Sequence, residues 1–241
     1  MIKFFTDIKY LFPHHIIYYG YKWFFNKRFK LNQNRRTIIK EDYENSLLGF
    51  DKYKCIFIHI PKAAGVSLSI SLFGNLGGGH QTIYSYYKIF SPKEFSEYYK
   101  FVIVRNPWDR LVSAYHFLKE GGFNSKDKDW FEKNLRKFET FEDFICLGLD
   151  QKEIYSFTHF IPQHHYIYLN GNLLVDTIYK FEKMDNIYID LNKKLNVNIS
   201  NIHSNKTQNR NLDYRKYYNK ETELIVQRIY SKDISLFNYT F

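Results

Sequence analysis

Two cysteines, Cys55 and Cys146, are all that this 241-residue chain contains. So distant a pair makes neither a disulfide framework nor a zinc site, whose ligands come in close pairs. Cys55 opens the run Cys55-Ile56-Phe57-Ile58-His59-Ile60, and Cys146 sits in Phe144-Ile145-Cys146-Leu147. Both read as small buried hydrophobes in a reducing compartment. Five prolines and eleven glycines exclude collagen-like and low-complexity architectures. No apolar run reaches the ~18 residues of a membrane span. A secretory signal layout is missing, because Lys3, Asp7, Lys9, His14 and His15 interrupt the first apolar residues. Acid is scarce too: 25 Asp+Glu stand against 35 Lys+Arg, a formal net charge of +10. That surplus points to an anionic partner: nucleic acid, a membrane face, or a phosphorylated or sulfated small molecule.

What the chain has in excess is aromatic side chains: 22 Tyr, 23 Phe and 3 Trp, or 20 % of residues. Tyr, Phe, Lys, Asn and Ile share AT-rich codons, so composition alone decides no function. The length suits one generous domain, or a domain of ~190 residues with an extension. Residues 1–48 read as a basic, aromatic extension and residues 49–241 as the main domain. Within the extension, Ile16–Lys30 mixes Tyr, Trp and Phe with Lys22, Lys27, Arg28 and Lys30. Two placements are open for it: flat on an anionic bilayer, or packed as a basic helix on its own domain.

Lys54–Ile60 and Lys100–Val104 read as buried strands, each bounded by polar residues. Helices are expected over Val66–Phe73, from Ser91-Pro92-Lys93-Glu94, from Asn106-Pro107, and over Phe138–Leu147, Met184–Leu195 and Lys220–Tyr230. Leu173–Val175 and Thr177–Phe181 read as short strands. Alternating strands and helices predict an α/β fold, a central and mainly parallel sheet flanked by helices.

In open α/β sheets, ligands bind past the carboxyl ends of strands, and two strand–loop–helix corners stand out. The first is Pro61-Lys62-Ala63-Ala64-Gly65-Val66-Ser67-Leu68. Small residues let backbone N–H groups approach an anion, and a helix N-terminus adds partial positive charge. Lys62 supplies a full charge and Ser67 a hydroxyl. The Walker sequence Gly-x-x-x-x-Gly-Lys-[Ser/Thr] is absent. The second corner is Arg105-Asn106-Pro107-Trp108-Asp109-Arg110-Leu111-Val112-Ser113-Ala114-Tyr115. Arg105 ends the strand, Asn106 caps the helix, and Ser113 lies on the face opposite Trp108. A nucleotide-triphosphate enzyme wants an acid at this strand end to hold Mg²⁺. An Arg there instead grips a phosphate with its planar fork.

At these corners the chain resembles the nucleotide-dependent sulfotransferases, in particular the carbohydrate type, such as heparan sulfate 2-O-sulfotransferases and their bacterial relatives. Pro61–Leu68 is similar to the family's 5′-phosphosulfate loop, and RNPWDRLVSAY to its 3′-phosphate motif. Ile161-Pro162-Gln163, Asp176 with Tyr179-Lys180-Phe181-Glu182, and Tyr230-Ser231-Lys232-Asp233-Ile234 with Phe237-Asn238-Tyr239 also look like this family. The resemblance covers residues 50–241. Ala63-Ala64 departs from it, since relatives often carry a Thr or Ser there. The resemblance implies a sulfotransferase fold related to the phosphate-loop NTPases. It implies the donor 3′-phosphoadenosine 5′-phosphosulfate (PAPS), the product 3′-phosphoadenosine 5′-phosphate (PAP), and no metal. By the match, Lys62, Ala63, Ala64, Gly65, Val66, Ser67 and Leu68 hold the 5′ end, and Arg105 and Ser113 the 3′-phosphate.

An acceptor hydroxyl needs its proton removed, and histidine titrates near neutrality. Gly79-His80 looks like the Gly-His that carries the base in the 2-O-sulfotransferases; the other reading of His80 is a loop residue that orders substrate. His59 reads as a core histidine, and His164-His165 as structural or surface residues. His203, Lys206 and Thr207 lie in a polar loop that either closes over the nucleotide or is simply solvated. Lys126, Lys128, Lys133, Arg136 and Lys137, with Trp130 and Phe131, suit a carbohydrate acceptor such as a polysaccharide or glycolipid; a solvated amphipathic helix explains them equally. Competing readings are a nucleotide kinase on a related fold and a polyanion-binding module, although no nucleic-acid motif occurs. The expected location is a bacterial cytoplasm, with peripheral contact at the inner membrane face through the extension.

Overall fold

The computed structural model describes residues 12–40, 44–200 and 213–241. Helices α1 (His14–Phe24), α2 (Asn26–Asn34) and α3 (Leu48–Tyr53) precede β1 (Cys55–Ile58). Then come α4 (Gly65–Phe73), α5 (Ile83–Ile89), α6 (Pro92–Glu97), β2 (Tyr99–Val104), α7 (Pro107–Lys119), α8 (Ser125–Asn134) and α9 (Phe141–Leu147). Two single turns, α10 (Lys152–Tyr155) and α11 (His164–Ile167), lead to β3 (Tyr168–Leu169), β4 (Asn172–Leu173) and β5 (Thr177–Lys180). The helices α12 (Met184–Leu195), α13 (Lys220–Ile229) and α14 (Ser231–Phe237) follow. The chain divides into two compact units. The first holds the described residues of Met1–Ile60, Ala64–Ile103 and His165–Ser204; the second holds those of Pro61–Ala63, Val104–His164 and Asn205–Phe241.

In the first unit, β1, β2 and β5 form a three-stranded sheet in that order. β1 and β2 run parallel, in register from Cys55 opposite Tyr99 to Ile58 opposite Val102. All four β1 residues are buried, which is why the strand reads as an unbroken apolar run. Asp176 accepts a hydrogen bond from the Lys100 backbone (2.7 Å) and pairs with its ammonium (3.1 Å), fastening the approach to β5. The expected mixed α/β architecture with parallel strands is present, and the sheet is small. α1 and α2 pack on their own unit through one side: His14 stacks on Tyr87 at 3.6 Å and Gln33 donates to the Ile89 carbonyl. Arg36 clamps Asp51 and Glu94, each at 2.6 Å, over the Phe90 ring. α6 starts where Ser91-Pro92-Lys93-Glu94 indicates, with a reciprocal capping box between Ser91 and Glu94.

In the second unit, α7 is buried on nearly every side. Trp108, Leu111, Tyr115 and Leu118 pack against Phe144, Phe160, Val226 and Tyr230.

Several expectations need correcting. β1 stops at Ile58 rather than Ile60, and Lys54 is already in a left-handed turn (φ 47°). The helix expected over Phe138–Leu147 begins at Phe141, because Thr140 and Asp143 form a capping box that fixes its start. Leu173–Val175 is not a strand of its own: β4 ends at Leu173 and pairs antiparallel with β3. Asn170 and Gly171 turn that hairpin with positive φ, the signature of a tight two-residue loop. Cys146 is exposed, because α9 directs Phe141, Phe144 and Ile145 inward.

Candidate active site

The second unit builds its site on the junction between β2 and α7. The Asn106 side chain accepts from the Trp108 and Asp109 N–H groups (3.1 and 3.5 Å), and Pro107 takes the first helical position. This cap fixes Arg105, which is buried at the strand end. Arg105 Nε donates to Asp109 Oδ2 at 2.7 Å, and Nη1 donates to the Lys62 carbonyl at 2.9 Å. The two corners singled out in the sequence are therefore joined by a hydrogen bond. Gln163 grips the Arg105 backbone twice, accepting from its N–H (2.9 Å) and donating to its carbonyl (2.8 Å). Asp233 in turn accepts from the Gln163 and His164 N–H groups and from His164 Nδ1. Tyr239 adds a hydroxyl bond to the Val104 carbonyl.

The segment around Lys62 is held by a second cation. Arg110, buried within α7, donates to the carbonyls of Pro61 (3.1 Å), His159 (3.1 Å) and Ile161 (3.0 Å). Lys62 has a positive φ of 68°, and its ammonium rests 3.7 Å from the centroid of the Phe117 ring. Such a contact is worth ~0.5–2 kcal/mol, weak enough to exchange for an anion. Ser113 is buried in α7. Trp130 is stacked flat on Phe157 at 3.7 Å, so one face of that ring is already covered.

The first unit holds the other residues expected from the sequence. Ala64 (φ 61°) is the N-cap of α4, and no side chain caps this helix. Gly65, Val66, Ser67 and Leu68 form its first turn. Lys62 and Ala64 both have positive φ. Gly65 is required by packing: a Cβ there would lie 1.9 Å from Cδ2 of the buried His59. The His59 ring meets the His80 ring edge-on at 4.4 Å, and His80 is exposed. His80 Nδ1 lies 3.3 Å from the His59 carbonyl. A carbonyl only accepts, so in neutral His80 the proton sits on Nδ1 and the lone pair on Nε2.

Of the residues expected from sequence, Lys62, Ala63, Arg105 and Ser113 fall in the second unit and Ala64–Leu68 and His80 in the first. His203, Lys206 and Thr207 lie outside the described residues. His59 and His164 are buried, as expected of structural histidines. Asp109, Arg110 and Gln163 stood in the quoted motifs without a role of their own, and Phe117 was not singled out. The four-residue spacing of Arg105 and Asp109 was a readable signal of a helical ion pair. No comparable signal marked Arg110 or Gln163, whose partners are distant in sequence.

In chain order Lys62 follows β1 and Arg105 follows β2. A family model, the sulfotransferase family, matches residues 46–240. The chain belongs to the sulfotransferase family, and so to the enzymes that transfer sulfuryl groups. No curated protein and no solved structure matches it significantly.

Proposed function

We propose that this protein transfers a sulfuryl group from PAPS to a hydroxyl of a carbohydrate. The observation that carries the reading is the Arg105–Lys62 hydrogen bond, which ties a guanidinium at one strand end to the loop bearing the ammonium of the other corner. Sulfotransferases generally use PAPS. The donor set suits it: PAPS has two separated anionic ends, and the chain offers an arginine, a lysine and an uncapped helix start for them. We also read the fold as related to the phosphate-loop NTPases, on the strength of the strand–loop–helix at β1 and α4.

PAPS supplies the sulfuryl group and a phosphate leaving group. Arg105, oriented through Asp109, binds the 3′-phosphate, and Ser113 contributes its hydroxyl there. Lys62 leaves the Phe117 ring to neutralise charge on the oxygen that bridges phosphorus and sulfur. Gly65, Val66, Ser67 and Leu68 present N–H groups and a hydroxyl to the 5′ end. His80 Nε2 accepts the acceptor's proton, while Nδ1–H stays on the His59 carbonyl and the ring keeps its orientation.

Two variants of the full chain test this. Arg105→Ala should weaken PAP binding by roughly tenfold or more, because it removes a charge-assisted contact. His80→Ala should leave PAP affinity intact and slow radiolabelled sulfate transfer by about 10²–10⁴. Unchanged calorimetric affinity in the first variant would remove Arg105 from the donor site. Near-normal turnover in the second would reassign the base. A panel of glycans as acceptors, with no labelled product from any, would overturn the carbohydrate reading.

A further inference from the structure

We propose that the outward face of α1 and α2 is a docking surface for an anionic lipid bilayer. Each helix buries a single side chain, Ile17 in α1 and Phe29 in α2. The opposite face is apolar and open. Ile16, Tyr19 and Trp23 lie at i, i+3 and i+7, so they form one stripe along α1, and Phe24, seven residues after Ile17, stands exposed at the helix end. Trp23 is 81 % exposed and Phe24 80 %, and Phe25 and Leu31 continue the surface toward α2. Such exposure of large aromatic side chains in a cluster marks an interaction site.

The charge around the stripe identifies the occupant. Residues 12–40 hold seven Lys and Arg and no Asp or Glu. Three of the seven are engaged with the protein: Arg35 with the Gly78 carbonyl, Arg36 with Asp51 and Glu94, and Lys40 with Glu44. The other four, Lys22, Lys27, Arg28 and Lys30, are exposed and have no carboxylate partner among the described residues. Tryptophan and phenylalanine flanked by cations match the boundary between acyl chains and anionic headgroups. A second copy of this chain would set four cations against four, which opposes self-pairing. A soluble polyanion would use the cations and leave the rings in water. α1 spans 11 residues, about 16 Å, so it lies on the surface and does not cross.

The test is co-sedimentation of the full chain with vesicles of phosphatidylcholine alone or mixed in equal parts with phosphatidylglycerol. The expected result is binding to the mixed vesicles, weakened by salt, with a blue shift in tryptophan fluorescence. Replacing Trp23→Ser together with Phe24→Ser should lower binding roughly tenfold or more. Lys27→Gln with Arg28→Gln should lower it about 25-fold, at roughly fivefold per cation. All four positions are exposed, so unchanged melting curves are expected and show that folding is intact. The proposal is overturned by no binding to mixed vesicles, or by equal binding to phosphatidylcholine alone. It is also overturned by self-association that vanishes in the Trp23/Phe24 variant, or by binding dextran sulfate in place of vesicles.

Discussion

Replacing Arg110 by Lys keeps the charge and discards the planar fork. Arg110 is 2 % exposed and spreads three hydrogen bonds over the carbonyls of Pro61, His159 and Ile161. A lysine ammonium is a point donor on a flexible stem and reaches one of these sites, leaving two carbonyls buried without a partner. At about 1.5–3 kcal/mol for each hydrogen bond to a charged group, the loss is roughly 3–6 kcal/mol. In a chain of this size each kcal/mol moves the melting temperature by about 2–4 °C, so a fall of roughly 6–24 °C is expected. Arg110→Leu, which leaves all three carbonyls without the guanidinium, should fall further. Scanning calorimetry on the full chain reads both. PAP affinity should drop in Arg110→Lys as well, because Pro61 adjoins Lys62. A melting temperature within ~2 °C of wild type would refute the idea that this side chain holds the loop.

Arg36→Met should cost on the order of 1 kcal/mol at neutrality, since both acidic partners are partly exposed. It should also change the acid limb. Burial raises the Glu94 carboxyl, but hydrogen bonds from Arg36 and Ser91 outweigh this and hold it below its ordinary value. A depressed folded value stabilises above the unfolded pKa of about 4.5 and loses that stability as pH falls through the folded one. Urea denaturation stepped from neutrality into the acid range should show this loss in wild type and much less of it in Arg36→Met. Gly65→Ala would drive a methyl into the buried His59 ring, at a cost of about 1–3 kcal/mol. Its melting temperature should fall, and wild-type stability would dismiss the packing argument.

The parallel strands β1 and β2 and two of the capped helices were legible because their signals are local. Ser91 with Glu94 and Asn106 with Pro107 fix helix starts within four residues, and both helices begin there. Met184–Leu195 was readable to the residue, from its apolar period and the polar break that follows. What could not be read was the support of the site. Gln163 reaches Arg105 across 58 positions, and Arg110 reaches Pro61 across 49. Such pairs depend on tertiary packing, and no spacing rule anticipates them. Gln163 holds the Arg105 backbone, and Asp233 in turn holds Gln163 and His164. The tautomer of His80 was equally hidden, since it follows from a single carbonyl beyond the end of β1.

The two cysteines end in opposite chemical situations. Cys55 is fully enclosed, and burial pushes its thiol far above the reactive range. Cys146 faces solvent on α9, its thiol raised more mildly by partial desolvation and by Glu221, Glu142 and Asp143. A maleimide dye or spin label therefore has one accessible thiol to find in the natural chain. Mildly alkaline conditions would offset the acidic neighbours and speed attachment. A single reporter could thus be placed on the second unit without engineering a cysteine, ready to register changes there when nucleotide is added.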